Sequence, residues 1–386
     1  MQLSSRVVSI SKYPTAQLTA KKKALVAAGK AVFDFGAGDP IEPTPAFIRE
    51  AISRGVPTIS QYPTVRGSTE LRKSIQGYVQ RRFNVPLDPE TEIVPCTGSK
   101  EAIYNFAFLF IEPGSAKNVI IGPSPGYFVM ERSAIVLGAE YYPYPLTPEN
   151  GFLLDLAKVP ESILKRTAIV WLNYPHNPTG VECTRDYLRE QIKIAERYDI
   201  VVASDECYVD VYFGTTAPPS VLEVQTKGVV AFHSCSKRSG MTAYRTGFMA
   251  GDRDILQAYA AFRDTLGVAQ PIYTQVAATA AWSDDAHAAE RRAIFKEKRD
   301  FFLDFLTKRM KLQVTPTDAT FYLWVRAPAG MSGNDYTDRL LEAGIVASPG
   351  SSFGPGCENF FRVALVPSLT DCKKVATIWE DLFKNR

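Results

Sequence analysis

The chain has 386 residues, 46% of them hydrophobic and 22% charged, with a formal net charge of +3. Such a length favours two domains, or one large α/β body with a smaller one appended. The composition is that of an ordinary globular protein, and a charge so small and dispersed argues against nucleic acid or an anionic membrane as partner.

In chain order, the opening "MQLSSRVVSISKYP" lacks the apolar core of a signal peptide, and no later stretch is long enough to span a bilayer, so a cytoplasmic protein is expected. The triplet "KKK" at 21–23 reads as the wet face of a helix. From about residue 90 to 265, short apolar strands alternate with amphipathic helical stretches, the pattern of a parallel sheet with crossover helices. The strands are "EIVPC", "NVIIG", "TAIVWLN", "DIVVASD", "GVVAFHS" and "TGFMAGD". Helices are predicted for "KEAIYNFAFLF", with Glu101 favourably placed at its positive end, and for "GYFVMERSAIVLG" and "TRDYLREQIKIAERY". Residues 286–311 read as one long charged amphipathic helix that marks a change of domain. After it, "TFYLWV", "GIVAS" and "FFRVALV" read as strands of a smaller α+β unit closed by the helix "DCKKVATIWEDLF".

The expected fold is therefore α/β, a mostly parallel central sheet with helices on both faces, plus a smaller α+β domain. The six cysteines (Cys96, Cys183, Cys207, Cys235, Cys357 and Cys372) are scattered without a CxxC pair, which indicates neither a zinc site nor a disulfide framework. His176, His233 and His287 are too few and dispersed for a histidine-rich metal site, so no metal is expected.

In a parallel α/β sheet, ligands settle at the carboxyl ends of the strands. The residues found there are "TGSK" (97–100), "GPSPGY" (122–127), "NYPHNPTG" (173–180), "SDECY" (204–208) and "SCSK" (234–237). A small flexible loop opening a helix offers backbone N–H groups to a phosphate, with Gly98 permitting approach, Ser99 adding a hydroxyl and Lys100 a charge. Loops of that composition are also common helix caps. Asp205 follows "IVVAS", so its carboxylate should lie near the floor of a cleft and needs a cationic or proton-donating partner. Tyr208, three residues on, can aim its phenol at the same ligand; a helix cap followed by a core tyrosine explains the segment about as well. The two prolines and two asparagines of "NYPHNPTG" specify a stiff turn that holds a side-chain amide, with Asn177 reaching the ligand.

Lys237 ends an apolar strand. Inside a cleft, desolvation and neighbouring cations would lower its pKa and free the amine as a nucleophile toward carbonyls. Arg245, eight residues later, would complete a phosphate site with "TGSK" and Ser234. One ligand accounts for both cations: an aldehyde carrying a phosphate and a protonatable ring nitrogen. Pyridoxal 5'-phosphate is such a molecule, with Lys237 as its Schiff base and Asp205 holding the pyridinium proton.

Taken together, "YPTVRGSTELR", "TGSKEA", "PSPGY", "NYPHNPTG", "SDECY", "SKRSGMTAYRTG" and "FFRVAL" resemble the ordered motifs of the class I/II, fold type I, pyridoxal-phosphate-dependent aminotransferases. The resemblance covers nearly the whole chain. It implies that Lys237 carries the cofactor and shuttles the proton, Asp205 keeps the ring nitrogen protonated, and Tyr208 and Asn177 hydrogen-bond the ring's phenolate oxygen. Tyr127 would stack on the ring. Gly98, Ser99, Lys100, Ser234 and Arg245 would form the phosphate cup, joined by Tyr62 of a neighbouring subunit. Arg362 would clamp the substrate α-carboxylate, assisted by the backbone around Gly38; a guanidinium between "FF" and "VAL" would otherwise be left unpaired, unless the strand is a surface edge.

The resemblance further implies a ping-pong exchange of an amino group between an amino acid and a 2-oxo acid, and a homodimer with shared active sites. Its expected parts are an N-terminal segment (1–45) that joins the small domain, a large cofactor domain (46–285) and a small C-terminal domain (286–386). "SKYPTAQLTAKKKAL" is placed to close over substrate. "SKRSGMTAYRTGF" is similar to a bacterial subgroup that includes N-succinyldiaminopimelate and aspartate aminotransferases, which points to an acidic or dicarboxylic donor with 2-oxoglutarate. Cys207 and Cys235 are expected to pack, and His176 to face solvent or lie behind the site. The alternatives are lyase or decarboxylase chemistry on the same cofactor, or a non-catalytic sensor module. "SCSK" also fits the S-x-x-K pattern of serine acyl-enzymes, but it follows a strand and comes after "SDE", against that class's order.

Overall fold

The computed structural model describes residues 3–10 and 16–384. Among them, no helix is long and apolar enough to cross a membrane. The main sheet has seven strands: β2 (Ile93–Cys96), β3 (Val119–Ser124), β4 (Glu140–Pro145), β5 (Thr167–Asn173), β6 (Val201–Asp205), β7 (Val229–Ser234) and β8 (Gly247–Gly251), after a short β1 (Phe33–Asp34) that lies elsewhere. Their spatial order is β2-β8-β7-β6-β5-β3-β4. Pairings from β4 through β7 are parallel, whereas β8 runs antiparallel to both β2 and β7. Every residue of β3, β5 and β7 is buried, as continuous apolar runs covered on both faces require. β4, "EYYPYP", alternates weakly and escapes sequence reading; its two prolines suit the edge it occupies.

The helices that matter to the site are α1 (Ala16–Ala27), α2 (Ala46–Arg54), α3 (Thr69–Phe83), α4 (Ser99–Phe106), α5 (Val129–Leu137), α6 (Arg185–Arg197), α7 (Cys235–Arg238), α8 (Arg253–Leu266), α9 (Ile272–Trp282), α10 (Ala286–Asp304), α11 (Gly333–Glu342) and α12 (Leu369–Lys384). Their ends follow local chemistry. Thr184 caps α6 by accepting from the Tyr187 N–H, and Asp252 caps α8 by accepting from the N–H groups of Asp254 and Ile255. The long helix predicted for 286–311 stops at Asp304 and widens to a π-turn over Phe305–Arg309, which turns the chain into the second sheet.

That second sheet is β9 (Gln313–Val314), β10 (Tyr322–Arg326), β12 (Ser348–Pro349) and β13 (Phe360–Ala364), in the order β12-β13-β10-β9. β1 pairs in parallel with β11 (Ile345–Val346), so Phe33 and Asp34 join this C-terminal unit. Lys21 and Lys22 of α1 are paired with Asp338 and Asp34 at 2.6 and 2.5 Å. Residues 11–15 of the segment expected to close over substrate lie outside the described residues. The apolar cores follow the two sheets, one cluster around Phe302, Phe321, Phe361 and Trp379, and two on the opposite faces of the large sheet.

Candidate active site

The carboxyl ends of β5, β6 and β7 meet β13 and β10 of the second sheet across a cleft of about 490 Å³. It is lined by Ser99, Lys100, Tyr127, Asn177, Asp205, Tyr208, Ser234, Lys237, Arg245, Gly38 and Arg362, which the sequence singled out in separate motifs. Because β8 is antiparallel, its start adjoins the end of β7: Ser234 is registered on Gly247. Arg245 thus reaches the cleft from before a strand, not after one.

Asp205, 4% exposed, ends β6 in register with Asn173 of β5. Burial is the main cause that pushes its carboxyl above the usual range, opposed by hydrogen bonds from Cys207. One of these is the Cys207 backbone N–H, at 3.2 Å from Oδ1; no hydrogen bond or ion pair joins the carboxylate to a cation among the described residues. A carboxylate held at the floor of an open cleft in this way is matched to a ligand N–H.

Lys237 lies on the short helix α7, whose N-cap Ser234 accepts from the Ser236 N–H at 3.1 Å. Its Nζ donates to the Gly38 carbonyl. Burial, opposed by Asp39 and Cys207 and joined by Arg362 and Arg245, lowers its pKa to about 8. An appreciable fraction of the amine is thereby unprotonated at neutral pH.

The "TGSK" loop lies at the start of α4. Gly98 has φ 75, a left-handed conformation that favours glycine, and a Cβ there would stand 2.4 Å from Arg245 Nη2. Gly98 therefore forms a seat for the arginine rather than a wall of the cleft. Arg245 itself has φ 53 and donates to the Thr242 carbonyl at 2.8 Å. The loop is fixed from behind by Glu101, which receives Nε and Nη2 of the fully buried Arg263 at 3.1 and 3.0 Å. Glu101 also accepts from the Thr97 N–H at 3.1 Å.

Arg362 of β13 donates through Nη1 to Asn177 Oδ1 at 2.8 Å and through Nη2 to the Gly36 carbonyl at 2.5 Å. It lies 4.2 Å over the Tyr322 ring and 4.8 Å from the Phe353 ring centre, and its buried Nε has no hydrogen-bond partner among the described residues. β13 is flanked by β12 and β10, so the surface-edge reading is excluded. An arginine half-spent on neighbours beside an open cleft can complete its donors on a carboxylate.

Tyr208 shares a 2.7 Å hydrogen bond with Tyr322, and burial raises the pKa of both phenols. Tyr127 packs edge-on to Phe128, with ring centres 5.3 Å apart. Tyr62 is fully exposed and does not line the cleft of its own chain. The solvent-facing option for His176 is overturned: it is fully buried, its Nδ1 lies 2.8 Å from Thr179 Oγ1, and burial lowers its pKa to about 3. Cys235 is buried as expected, while Cys207 lines the cleft wall, its Sγ 3.0 Å from Ser99 Oγ.

Tyr322, Ser236, Thr242, Phe353 and the Gly36 carbonyl also line or shape the cleft and were missed in sequence. Asn173 was missed as well; its amide donates to the Asp205 carbonyl at 2.9 Å and its oxygen accepts the Asn177 N–H at 3.3 Å, tying two motifs together. No local signal marks Tyr322, an aromatic among strand aromatics, whereas Asn173 stands at a strand end where such a signal was available.

Residues 30–377 match the family model "Aminotransferase class I and II". The chain belongs to the class I and II aminotransferases. This family is pyridoxal-phosphate dependent. The buried Asp205, which has no cationic hydrogen-bond or ion-pair partner among the described residues, the Gly98–Arg245 seat and the lowered pKa of Lys237 fit that cofactor. Among relatives of this aminotransferase, the LL-diaminopimelate aminotransferase of Aquifex aeolicus is 35% identical over 370 residues, covering 94% of this chain and 95% of the relative. Among solved structures, substrate-bound BacF from Bacillus subtilis superposes with a TM-score of 0.92 at 27% identity, over 99% of this chain and 98% of that one. Aminotransferase AspB from Helicobacter pylori gives 0.87 at 30% identity over 100% of both chains.

Proposed function

We propose that this aminotransferase takes its amino group from LL-diaminopimelate, or a donor with the same charged distal end, and passes it to 2-oxoglutarate. The observation that carries the reading is one cleft holding the Lys237 amine, the Asp205 carboxylate and the Arg362 guanidinium. Support for the donor comes from the name of the Aquifex relative and from a second cavity of about 630 Å³. It shares Gly126, Tyr127, Phe128, Ser352 and Phe353 with the cleft, and carries both signs of charge in Arg132, Glu131 and the Lys21–Asp338 ion pair. A distal end bearing an ammonium and a carboxylate would find partners of each sign there.

Pyridoxal phosphate, when bound, supplies a carbonyl that takes up amines and a ring that withdraws electrons from the adjacent carbon. Asp205 would hold the proton on the ring nitrogen, its raised pKa matching it to share that proton. Tyr208 and Asn177 would donate to the ring oxygen, and Tyr127 would cover one ring face. Ser99, Lys100, Ser234 and Arg245 would hold the phosphate, with α4 presenting its N-terminal N–H groups behind Gly98. Arg362 would orient the substrate by its α-carboxylate, with the backbone at Gly38 beside it. Lys237 Nζ, half-deprotonated near pH 8, would take the proton from the substrate α-carbon and return it.

A homodimer belongs to the same reading. Val56, Ile59 and Tyr62 after α2, with Tyr273 and Val276 on α9, leave apolar side chains exposed on adjoining elements. A second copy seated there would bring its Tyr62 toward this cleft. The expected division at 45 and 285 is consistent with β1 pairing onto β11 and with α10 leading into the second sheet. The six cysteines are unpaired, in keeping with a cytoplasmic setting.

The test is a donor screen with 2-oxoglutarate, including LL-diaminopimelate, its N-succinyl derivative, aspartate and glutamate. A kcat/KM for LL-diaminopimelate at least about tenfold above that for aspartate is expected, a difference of about 1.4 kcal/mol in transition-state binding. A preference for aspartate would replace the donor assignment while leaving the transaminase reading intact.

A further inference from the structure

Two buried residues behind the cleft join the segments that carry its reactive groups. Asp210 lies five residues beyond Asp205 and two beyond Tyr208; Arg238 directly follows Lys237 on α7. Arg238 is 3% exposed, and its whole guanidinium is engaged. Nε donates to Asp210 Oδ2 at 2.7 Å, Nη1 to the Ala281 carbonyl at 2.8 Å, and Nη2 to the Asp284 carbonyl at 2.9 Å and to the Asp285 carboxylate. His287 Nε2 lies 3.3 Å from Nη1. Asp210 in turn accepts from the Tyr78 hydroxyl at 2.9 Å and from Arg82 Nε at 3.0 Å. Burial alone would push the Asp210 carboxyl up, but Arg238 and Arg82 outweigh it and hold it below the usual range.

A helix of four residues cannot hold itself in place, so the orientation of α7 must come from what it packs on. A planar guanidinium with five donors can bind Asp210, the end of α9 and the start of α10 at once, which a lysine cannot. An apolar pair of the same volume often serves stability as well as a buried ion pair does, so stability alone does not call for these charges.

We propose that Arg238, through Asp210, is a positioning residue that fixes the α7 turn, so that Lys237 Nζ stays against Gly38 inside the cleft that Asp205 and Tyr208 also line. The proposal rests on Lys237 being the reactive amine. Loosening α7 would let water reach that amine. Asp39, Cys207, Arg362 and Arg245 act most strongly on Lys237, with Lys100, Asp205, Tyr208 and Tyr322 on the same cleft walls, and none of these is altered when Arg238 or Asp210 is replaced.

The test uses the full chain with Arg238→Lys, Asp210→Asn and the apolar pair Arg238→Met/Asp210→Leu, each checked for folding by circular dichroism. In cofactor-depleted protein, competitive acetylation followed by mass spectrometry reads the pH profile of Lys237. Its midpoint, about 8 in the parent chain, should move toward 10.5 by about one unit, cutting labelling at pH 7.5 roughly tenfold. In the loaded enzyme, kcat should fall about tenfold or more with KM within about threefold, because Arg362 and Asn177 are untouched. An unchanged Lys237 midpoint in any folded variant overturns the proposal. So does failure of all three variants to fold, which would make the pair a strut of the fold. Borohydride trapping of the parent chain separates the two levels: a cofactor label absent from Lys237 would sink the reactive-amine assignment itself.

Discussion

A cation and a carboxylate that burial penalises face one another across a space of ligand size, and their side chains set the first expectations. Replacing Lys237 with Met should abolish turnover and the visible absorbance of a lysine-linked cofactor, as read by spectrophotometry. It should also stabilise the cofactor-free protein. The folded pKa of Lys237, about 8, lies below its ordinary value of 10.5, so at pH 7 both states are mostly protonated and the native state bears nearly its full desolvation cost. Between pH 8 and 10.5 the unfolded chain binds more protons, and stability of the parent rises with pH. The melting temperature of Lys237→Met should therefore exceed the parent's by about 2 °C at pH 7, with the gap closing by pH 10.5. A gap independent of pH would assign it to packing. Arg362→Ala should lower kcat/KM by about 100-fold or more through loss of a charge-assisted clamp, measured in steady-state kinetics across several donors. His176, neutral down to about pH 3 because it is buried, should contribute no inflection to the pH–rate profile.

At the scale of elements, the strand ends are what the sequence showed best. β5, "TAIVWLN", was read residue for residue, because a run buried on both faces has no competing explanation. Glu101 was read as a favourable charge at a helix start, yet its larger task is to hold helix α4 by pairing with Arg263 on α8, 162 residues away. That partner has no local signature. Glu101→Ala should leave a fully buried guanidinium unpaired and cost about 3–5 kcal/mol, measured by denaturant melts. Cofactor affinity should weaken with it, since the "TGSK" turn loses its anchor. β4 and the π-turn after α10 escaped for the opposite reason: weak alternation in one, and in the other a helical pattern that continues while the hydrogen bonding changes.

For the whole molecule, the cleft exists because two sheets with separate cores present their ends to each other. A dimer seated on the Ile59, Tyr62, Tyr273 and Val276 surface would be expected to persist at micromolar concentration in analytical ultracentrifugation. Tyr62→Ala should weaken cofactor retention by about tenfold with little change in the melting transition, the loss of roughly one hydrogen bond to a charged group. A monomer with full activity would sink that expectation.

The sequence by itself determined the order of strands and helices and the residue types at each strand end, because burial and turn chemistry act on neighbours along the chain. It also carried Lys237, Asp205, Asn177, Arg245 and Arg362 as a set, since their motifs resemble one family in order. Only the tertiary structure decided that β8 runs antiparallel and delivers Arg245 from in front of a strand, that Asn173 ties Asp205 to the Asn177 turn, and that Arg238 answers to Asp210. These are contacts between residues distant in sequence, and the reach of a side chain across a cleft depends on packing that no local pattern records.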